Sequence, residues 1–343
     1  MASIPQREHC VRTRIDRVHE NKSDPPRYHF GISTLGHPCD RWLWLTFRWA
    51  VREQFPGRMK RLFRRGQNEE FTAVSDLREA GVDVRETGRN QRRLYGGCHV
   101  EGSVDGIIMG GLPESPRKQH ILEIKTHSKK SFDELVKQGV EKSKPMHFIQ
   151  MQCYMRISNI DRALYFAVCK DDDQIHTERV KLDRPLAEKY LERGRRLAVT
   201  ERLPEPVSAD PSWYQCRMCA AHGFCHEGDH TKEVTCRTCA HSTPTHKGTW
   251  TCARWEDAEI PKHAQLEGCR AHVIHPDLVK WKLDQDKSSR WTAAWVIDGR
   301  VILNGEDGYS SWEVIIGGPF HDPVVDMARD LFDGEIINKR RDT

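Results

Sequence analysis

The sequence predicts a mixed α/β (α+β) chain with a central mixed sheet flanked by helices, a small Cys-rich metal module and a small β-rich C-terminal segment. Four observations predict it. Helical periodicity fills two early stretches, the apolar period then drops to two, and helix and strand patterns alternate up to about residue 200. Beyond Ser208 the composition turns to Cys and His with few aliphatics, which needs metal rather than an apolar core to hold it.

In chain order, residues 1–27 read as a polar, unstructured lead-in ending at Asp24-Pro25-Pro26. A helix is expected from Ser33, where Cys39, Trp42, Leu43 and Phe47 recur at helical spacing. A second runs from Met59 to Ala80 on the stripe Phe63, Phe71, Val74, Leu77 and stops at Gly81. Residues 82–87, 93–104, 107–109 and 121–126 alternate as strands. Residues 131–159 return to helix, 163–170 and 177–182 form a hairpin across Asp171-Asp172-Asp173, and 185–200 is helical. Near the C-terminus a hairpin turns at Asp298-Gly299-Arg300, with Trp312–Ile316 as a third strand and Pro323–Phe332 as a helix. The expected division is a core over 28–230, a four-cysteine module over 231–274 and a C-terminal segment over 275–343.

Charged residues make up 30% of the 343 and the mean hydropathy is −0.71. No apolar run approaches the ~20 residues of a membrane span, and MASIPQREHC has no apolar segment of a secretory signal. A cytoplasmic protein is therefore expected. The net charge of +4 says little about partners. Its distribution says more: Arg48, Arg52, Arg58, Lys60, Arg61, Arg64 and Arg65 face a single acid, Glu53, a pattern that suits a phosphate-facing surface or a solvated helix.

The sharpest local signal is Ile121-Leu122-Glu123-Ile124-Lys125-Thr126. Alternate strand residues share a face, so Glu123 and Lys125 project together while Leu122 and Ile124 meet the core. A carboxylate and an ammonium on a buried strand are costly without a purpose. Asp105 precedes Glu123 in the pattern D-(x17)-E-x-K. Two carboxylates and the Ile124 carbonyl are hard oxygen ligands suited to Mg²⁺ or Mn²⁺, and Lys125 can orient an attacking water. Such parts serve metal-assisted phosphodiester hydrolysis. A hairpin turn at Asp105-Gly106 and a cross-strand charge pair explain the same residues without catalysis. Glu70 shares a helical face with Val74 and Leu77, so it points at the core and needs a partner. Gln150 and Tyr154 share a face one turn beyond His147, where they could hold a phosphate or base.

Gly66-x3-Glu70, Asp105, Glu123-x-Lys125 and Gln150-x3-Tyr154 resemble, in order and approximate spacing, the RecB-like branch of the PD-(D/E)XK nuclease superfamily, over about 60% of the chain. The resemblance implies a restriction-endonuclease-like core, with Glu70, Asp105 and Glu123 as metal ligands, Lys125 as catalytic lysine, and Gln150 and Tyr154 touching active site and DNA. Val104 stands where the family pattern has proline, and the histidine many relatives carry on the first motif helix is missing. The Gly-x3-Glu form is similar to lambda-type phage exonucleases, with Glu69 and Glu70 both open as the ligand.

Cys216-x2-Cys219-x5-Cys225 leaves a site one ligand short, and His222, His226 or a distant cysteine can complete it. One cysteine before the core and three after it resembles iron–sulfur-bearing RecB-like nucleases, which implies a [4Fe–4S] cluster on Cys39, Cys216, Cys219 and Cys225. Zinc on the triplet and a histidine is the competing reading. Cys236-x2-Cys239-x12-Cys252-x16-Cys269 supplies four thiolates by itself, a pattern for structural zinc, with His241 and His246 as alternative ligands. Trp281, Trp291, Trp295 and Trp312 with Lys280, Lys282 and Arg290 read as the core of a small sheet before they read as a stacking platform for single strands.

The expected function is a metal-dependent DNA exonuclease acting in phage recombination, replication or end-processing, with DNA as partner and possible company of a single-strand annealing or replication protein. The alternatives are an endonuclease, a DNA-binding scaffold with a vestigial site, and a regulatory zinc protein.

Overall fold

The computed structural model describes residues 10–22 and 26–316. The helix expected over Pro323–Phe332 lies outside them. The described chain divides into two compact units, one taking residues up to 37 together with 54–195, the other 38–53 together with 196 onward.

In chain order the elements are α1 (Val11–Glu20), β1 (Phe30–Gly31), α2 (Asp40–Phe47), α3 (Gly57–Glu79), β2 (Asp83–Arg85), β3 (Arg93–Gly97), β4 (Val100–Ser103) and β5 (Gly106–Gly110). Then follow β6 (His120–His127), α4 (Lys129–Ser143), α5 (Pro145–Ser158), β7 (Arg162–Cys169), β8 (Ile175–Lys181) and α6 (Arg184–Val199).

In the first unit a five-stranded sheet runs β2-β5-β6-β7-β8. Only β6 and β7 are parallel within it; the other pairs are antiparallel. A parallel pair needs a crossover, and α4 and α5 supply it. This is the mixed α/β architecture expected from the sequence. Leu122, Ile124, Leu164, Phe166 and Val168 on one face of the sheet pack against Ala73, Val74 and Leu77 of α3. Burying each such side chain contributes roughly 1.5–3 kcal/mol. The opposite residues of β6, Glu123 and Lys125, therefore point away from this core. Helix α3 ends where Gly81 takes φ +84°, with Val82 N–H donating to the Leu77 carbonyl at 3.0 Å.

Several elements depart from the expectations, each for a local reason. The lead-in contains α1, tied to α3 by an Asp16–Arg61 ion pair and by Gly57 N–H donating to Glu20 Oε1 at 2.9 Å. The helix expected from Ser33 is a 3-10 turn at Ile32–Thr34, and α2 starts only at Asp40, after Pro38, with the Cys39 thiol accepting from Trp42 N–H. Residues 93–104 are two strands, because Gly97 and Cys98 turn at positive φ (91° and 55°). Residues 131–159 are two helices, since Pro145 opens α5.

The second unit holds α7 (Tyr214–Arg217), α8 (His222–His226), β9 (Ser242–Pro244), β10 (Trp250–Cys252), β11 (Ala258–Glu259), β12 (Lys282–Leu283), β13 (Thr292–Ile297), β14 (Arg300–Gly305) and α9 (Ser311–Ile316). Its sheets run β11-β10-β9 and β12-β13-β14. The third strand expected at Trp312–Ile316 is helix α9. Ser310 and Glu313 cap it reciprocally: Ser310 N–H donates to Glu313 Oε2 (2.8 Å) and Glu313 N–H to Ser310 Oγ (3.3 Å). Trp295 is fully buried in the core of this sheet with Trp281 against it, as core rather than platform.

The basic run does not form one surface. Arg48 is buried, its guanidinium 4.6 Å from the Trp44 ring and 5.3 Å from Trp250. Arg52 pairs with Glu233 at 3.0 Å. Arg58, Arg64 and Arg65 remain exposed on α3, with Arg65 donating to the Lys170 carbonyl at 2.8 Å.

Candidate active site

β6 places Glu123 and Lys125 on the face away from α3, as alternation requires. Glu123 is fully buried and Lys125 half-buried. Asp105 precedes β5, and its Oδ2 accepts from Ile124 N–H at 2.8 Å, which locks the aspartate to the neighbouring strand. The Lys125 ammonium donates to Glu123 Oε1 and to the Ile124 carbonyl (3.1 Å), and lies 3.8 Å from Asp105 Oδ2. Glu123 Oε2 is buried with no hydrogen-bond partner among the described residues. An orphaned carboxylate oxygen of this kind is costly.

Burial pushes the Glu123 carboxyl up, Lys125 pulls it back, and Asp105 and Glu70 push it up again. Burial disfavours the Lys125 ammonium, but Glu123 and Asp105 outweigh it and hold the lysine protonated. Burial, then Asp105, raises Glu70 to about 7. Glu70 accepts from Gln91 Nε2 at 3.4 Å. Glu70 feels Asp105, which raises it, and Lys125, which lowers it.

On α5, Gln150 and Tyr154 are both buried, with Gln150 Nε2 donating to Tyr154 Oη at 3.3 Å. Burial first, then Glu123, raises the Tyr154 hydroxyl, so this pair lies within the electrostatic reach of the acids. The sequence reading missed Gly102, where a Cβ would meet Tyr154 Oη at 2.8 Å; a glycine inside a strand pattern was the available signal. It also missed His127 and Tyr165. His127 continues the face of Glu123 and Lys125, and Tyr165 is the β7 register partner of Glu123.

The chain has structural likenesses among solved proteins. The chain is similar to the alkaline exonuclease LHK-Exo from Laribacter hongkongensis (18% identity, 54% of this chain and 89% of that one, TM-score 0.34) and to LHK-Exo in complex with dAMP (18%, the same coverage, TM-score 0.37). It is also similar to SSO0001 (14% identity, 64% of this chain and 97% of that one, TM-score 0.38). No family model and no curated protein matches the chain. At these identities no residue role passes from those proteins to this one.

Among the described residues, no group of three or more His, Cys, Asp or Glu is arranged to hold a metal ion. The chemistry of the acidic donors nevertheless suits a hard divalent cation: the oxygens of Glu70, Asp105 and Glu123 influence one another, Glu123 Oε2 is unpartnered, and the Lys125 ammonium stands between two of the carboxylates.

The cysteines of the second unit fall into two sets. The Cys216 thiol is raised by burial, then by Cys39 and Cys225; burial also raises Cys219, which feels Cys225, Cys39 and Cys216. Trp42 N–H and Ala221 N–H each point at a sulfur, Cys39 and Cys219, at 3.4 Å. His222, an alternative fourth ligand, has its nitrogens beside the Cys216 carbonyl (3.0 Å) and Glu227 (3.5 Å). In the other set burial, then Cys269, raises Cys236 to about 11, with Cys252 adding; burial raises Cys239 to about 12 with Cys269 and Cys236 in reach. His241, whose backbone N–H points at the Cys239 sulfur (3.5 Å), has its Nε2 buried with no hydrogen-bond partner among the described residues.

Proposed function

We propose that the chain is a metal-dependent DNA exonuclease that hydrolyses phosphodiester bonds in recombination or end-processing. The observation that carries this reading is the buried Glu123, one oxygen held by Lys125 and the other unpartnered, beside Asp105. A structural ion pair has no reason to leave a buried carboxylate oxygen empty.

Glu123, Asp105 and the Ile124 carbonyl would hold Mg²⁺ or Mn²⁺, with Glu70 assisting. Such an ion supplies a water of lowered pKa and neutralises charge on the scissile phosphate. The chain's own groups do the rest. Ile124 N–H fixes Asp105, so the carboxylates keep their spacing when substrate arrives. Lys125, held protonated, orients the nucleophilic water and steadies the charge that develops on the phosphoryl oxygens. Gln150 and Tyr154 position the strand, and the exposed arginines of α3 offer it a basic path.

In the second unit, Cys39, Cys216, Cys219 and Cys225 would hold a [4Fe–4S] cluster, supported by their mutual electrostatic reach and by backbone N–H groups aimed at two of the sulfurs. Cys236, Cys239, Cys252 and Cys269 would hold a structural zinc.

The test is digestion of end-labelled linear DNA beside covalently closed circles, with Mg²⁺ or Mn²⁺. An exonuclease degrades the linear form alone and releases one label first. Cleaved circles would make the protein an endonuclease, and inert DNA of both forms would leave a binding scaffold.

A further inference from the structure

A second polar chain runs beside the carboxylates, and nothing above gives it a role. The Tyr165 hydroxyl lies 2.9 Å from His127 Nε2 and 2.7 Å from His147 Nδ1. His127 Nδ1 in turn lies 3.2 Å from Ser131 Oγ. Three of the four imidazole nitrogens are thus engaged. The fourth, His147 Nε2, has no hydrogen-bond partner among the described residues and is not buried, His147 itself being half-buried. It is the open end of the chain.

Both imidazoles are neutral. Burial, then Lys144 and Lys125, lowers His127 to about 4, and burial, then Lys125, lowers His147 to about 3. A neutral imidazole has one N–H and one lone pair, and a phenol has one proton to donate. The chain is therefore directional. In one sense Ser131 donates to His127 Nδ1, His127 Nε2–H to Tyr165 Oη and Tyr165 O–H to His147 Nδ1, so His147 turns an Nε2–H outward. In the other sense every bond reverses and His147 turns out a lone pair. Lys125 and Lys144 both act electrostatically on His147, Lys125 while shared with Glu123 and Asp105 and Lys144 while paired with Glu134. A phosphate oxygen that meets the open nitrogen selects the N–H.

We propose that His147 contacts the substrate phosphate, donating its Nε2–H to a non-bridging oxygen, and that Tyr165 and His127 are positioning residues that fix its tautomer. This inference rests on the nuclease reading for its ligand class. It adds a neutral donor to the charged lysine, and such a donor stabilises phosphoryl charge without titrating near neutral pH.

The test uses the full chain with Ca²⁺, thymidine 5′-monophosphate as probe and thymidine as control. Ring ¹⁵N NMR of the wild type should place the His147 proton on Nε2 and move that signal when the monophosphate, but not thymidine, is added. H147F should lose about tenfold in monophosphate affinity, the size of one hydrogen bond to a charged group. H147Q, whose amide nitrogen can reach the place of Nε2, should stay within about threefold of wild type. Y165F should let the His147 tautomers mix and weaken monophosphate binding in a protein that still folds cooperatively. A merely structural role would show no rescue by glutamine and no phosphate-dependent signal. Wild-type affinity in H147F, or an Nδ1–H tautomer in the complex, overturns the proposal, as does a wild type that binds no monophosphate. If the monophosphate binds as described but no DNA is cut with any metal, the nuclease reading fails and the contact stands.

Discussion

The Lys125 ammonium lies 3.8 Å from Asp105 Oδ2 while it donates to buried Glu123, so one cation serves two carboxylates. Removing it leaves Glu123 buried beside Asp105 with no counter-charge. Lys125→Met should therefore lower the cleavage rate by roughly 10²–10⁴-fold and destabilise the fold by about 3–5 kcal/mol unless Glu123 protonates. Adding Glu123→Gln should recover much of that stability and none of the activity. Urea melts of the two single variants and the double variant measure the coupling; additive losses would mean that Lys125 and Glu123 do not share their charge.

Glu70, raised to about 7 by burial and then by Asp105, sets a pH window. Its folded pKa lies above the unfolded value, so the metal-free fold binds more protons than the unfolded chain between the ordinary glutamate range and about 7. That contribution is complete at low pH and is lost as pH rises through 7. The melting temperature of metal-free protein should fall between pH 5.5 and 7.5, and Mn²⁺ affinity should rise over the same interval with release of protons. Glu70→Gln should flatten both curves. Calorimetry in two buffers of different ionisation enthalpy counts the protons; none released on Mn²⁺ binding at pH 6.5 would remove Glu70 from the ligand set.

Gly102 leaves room for Tyr154, since a Cβ there would meet Tyr154 Cε1 and Oη at 2.8 Å. Gly102→Ala should displace the tyrosine, cost about 1–3 kcal/mol of stability and lower cleavage at least tenfold. Because the ring Cε1 lies as close as the hydroxyl, Gly102→Ala combined with Tyr154→Ala should lose less stability than the two single variants summed. Strictly additive losses would contradict the close contact.

How much of this was legible follows from the residues themselves. The E-x-K strand, its core-facing Leu122 and Ile124 and the mixed sheet could be read because alternation and helical spacing are local signals. His127 stood on the same face by the same count, but a lone histidine on a strand is as easily core. Tyr165 could not be read, because only the register of β6 against β7, a non-local pairing, brings it beside that face. Helix α1 carries Val11, Ile15 and Val18 outward, all exposed, and is held instead by Asp16 and Glu20; an apolar stripe says nothing of such polar anchoring. The Ser310–Glu313 capping box was present in the sequence and outweighs the short alternation at Trp312–Ile316.

Cysteine chemistry makes an independent prediction. If the proposed cluster and zinc are present, Cys39→Ser should remove iron and the brown absorbance while leaving one zinc per chain, and should lower the melting temperature because the cluster would no longer tie residue 39 to residues 216–225. Metal analysis of anaerobically purified protein decides it. Unchanged metal content in the variant would give the triplet to zinc with a histidine.

DNA binding should weaken steeply with salt, since the exposed arginines of α3 would meet phosphates. Substituting Arg58 and Arg64 together should reduce the slope of log affinity against log salt by about 2 if each neutralises one phosphate. An unchanged slope would move the strand elsewhere.

The central claim is that Glu123, Asp105 and Lys125 cut DNA with a divalent metal. Single-turnover cleavage of end-labelled linear duplex in Mn²⁺ tests it most directly, comparing wild type with Glu123→Gln and Lys125→Met at matched iron and zinc content. Metal-dependent cleavage by wild type that falls at least a hundredfold in both variants is the predicted result. Cleavage that persists in Glu123→Gln, or a fully metallated wild type that leaves the duplex intact, would contradict it.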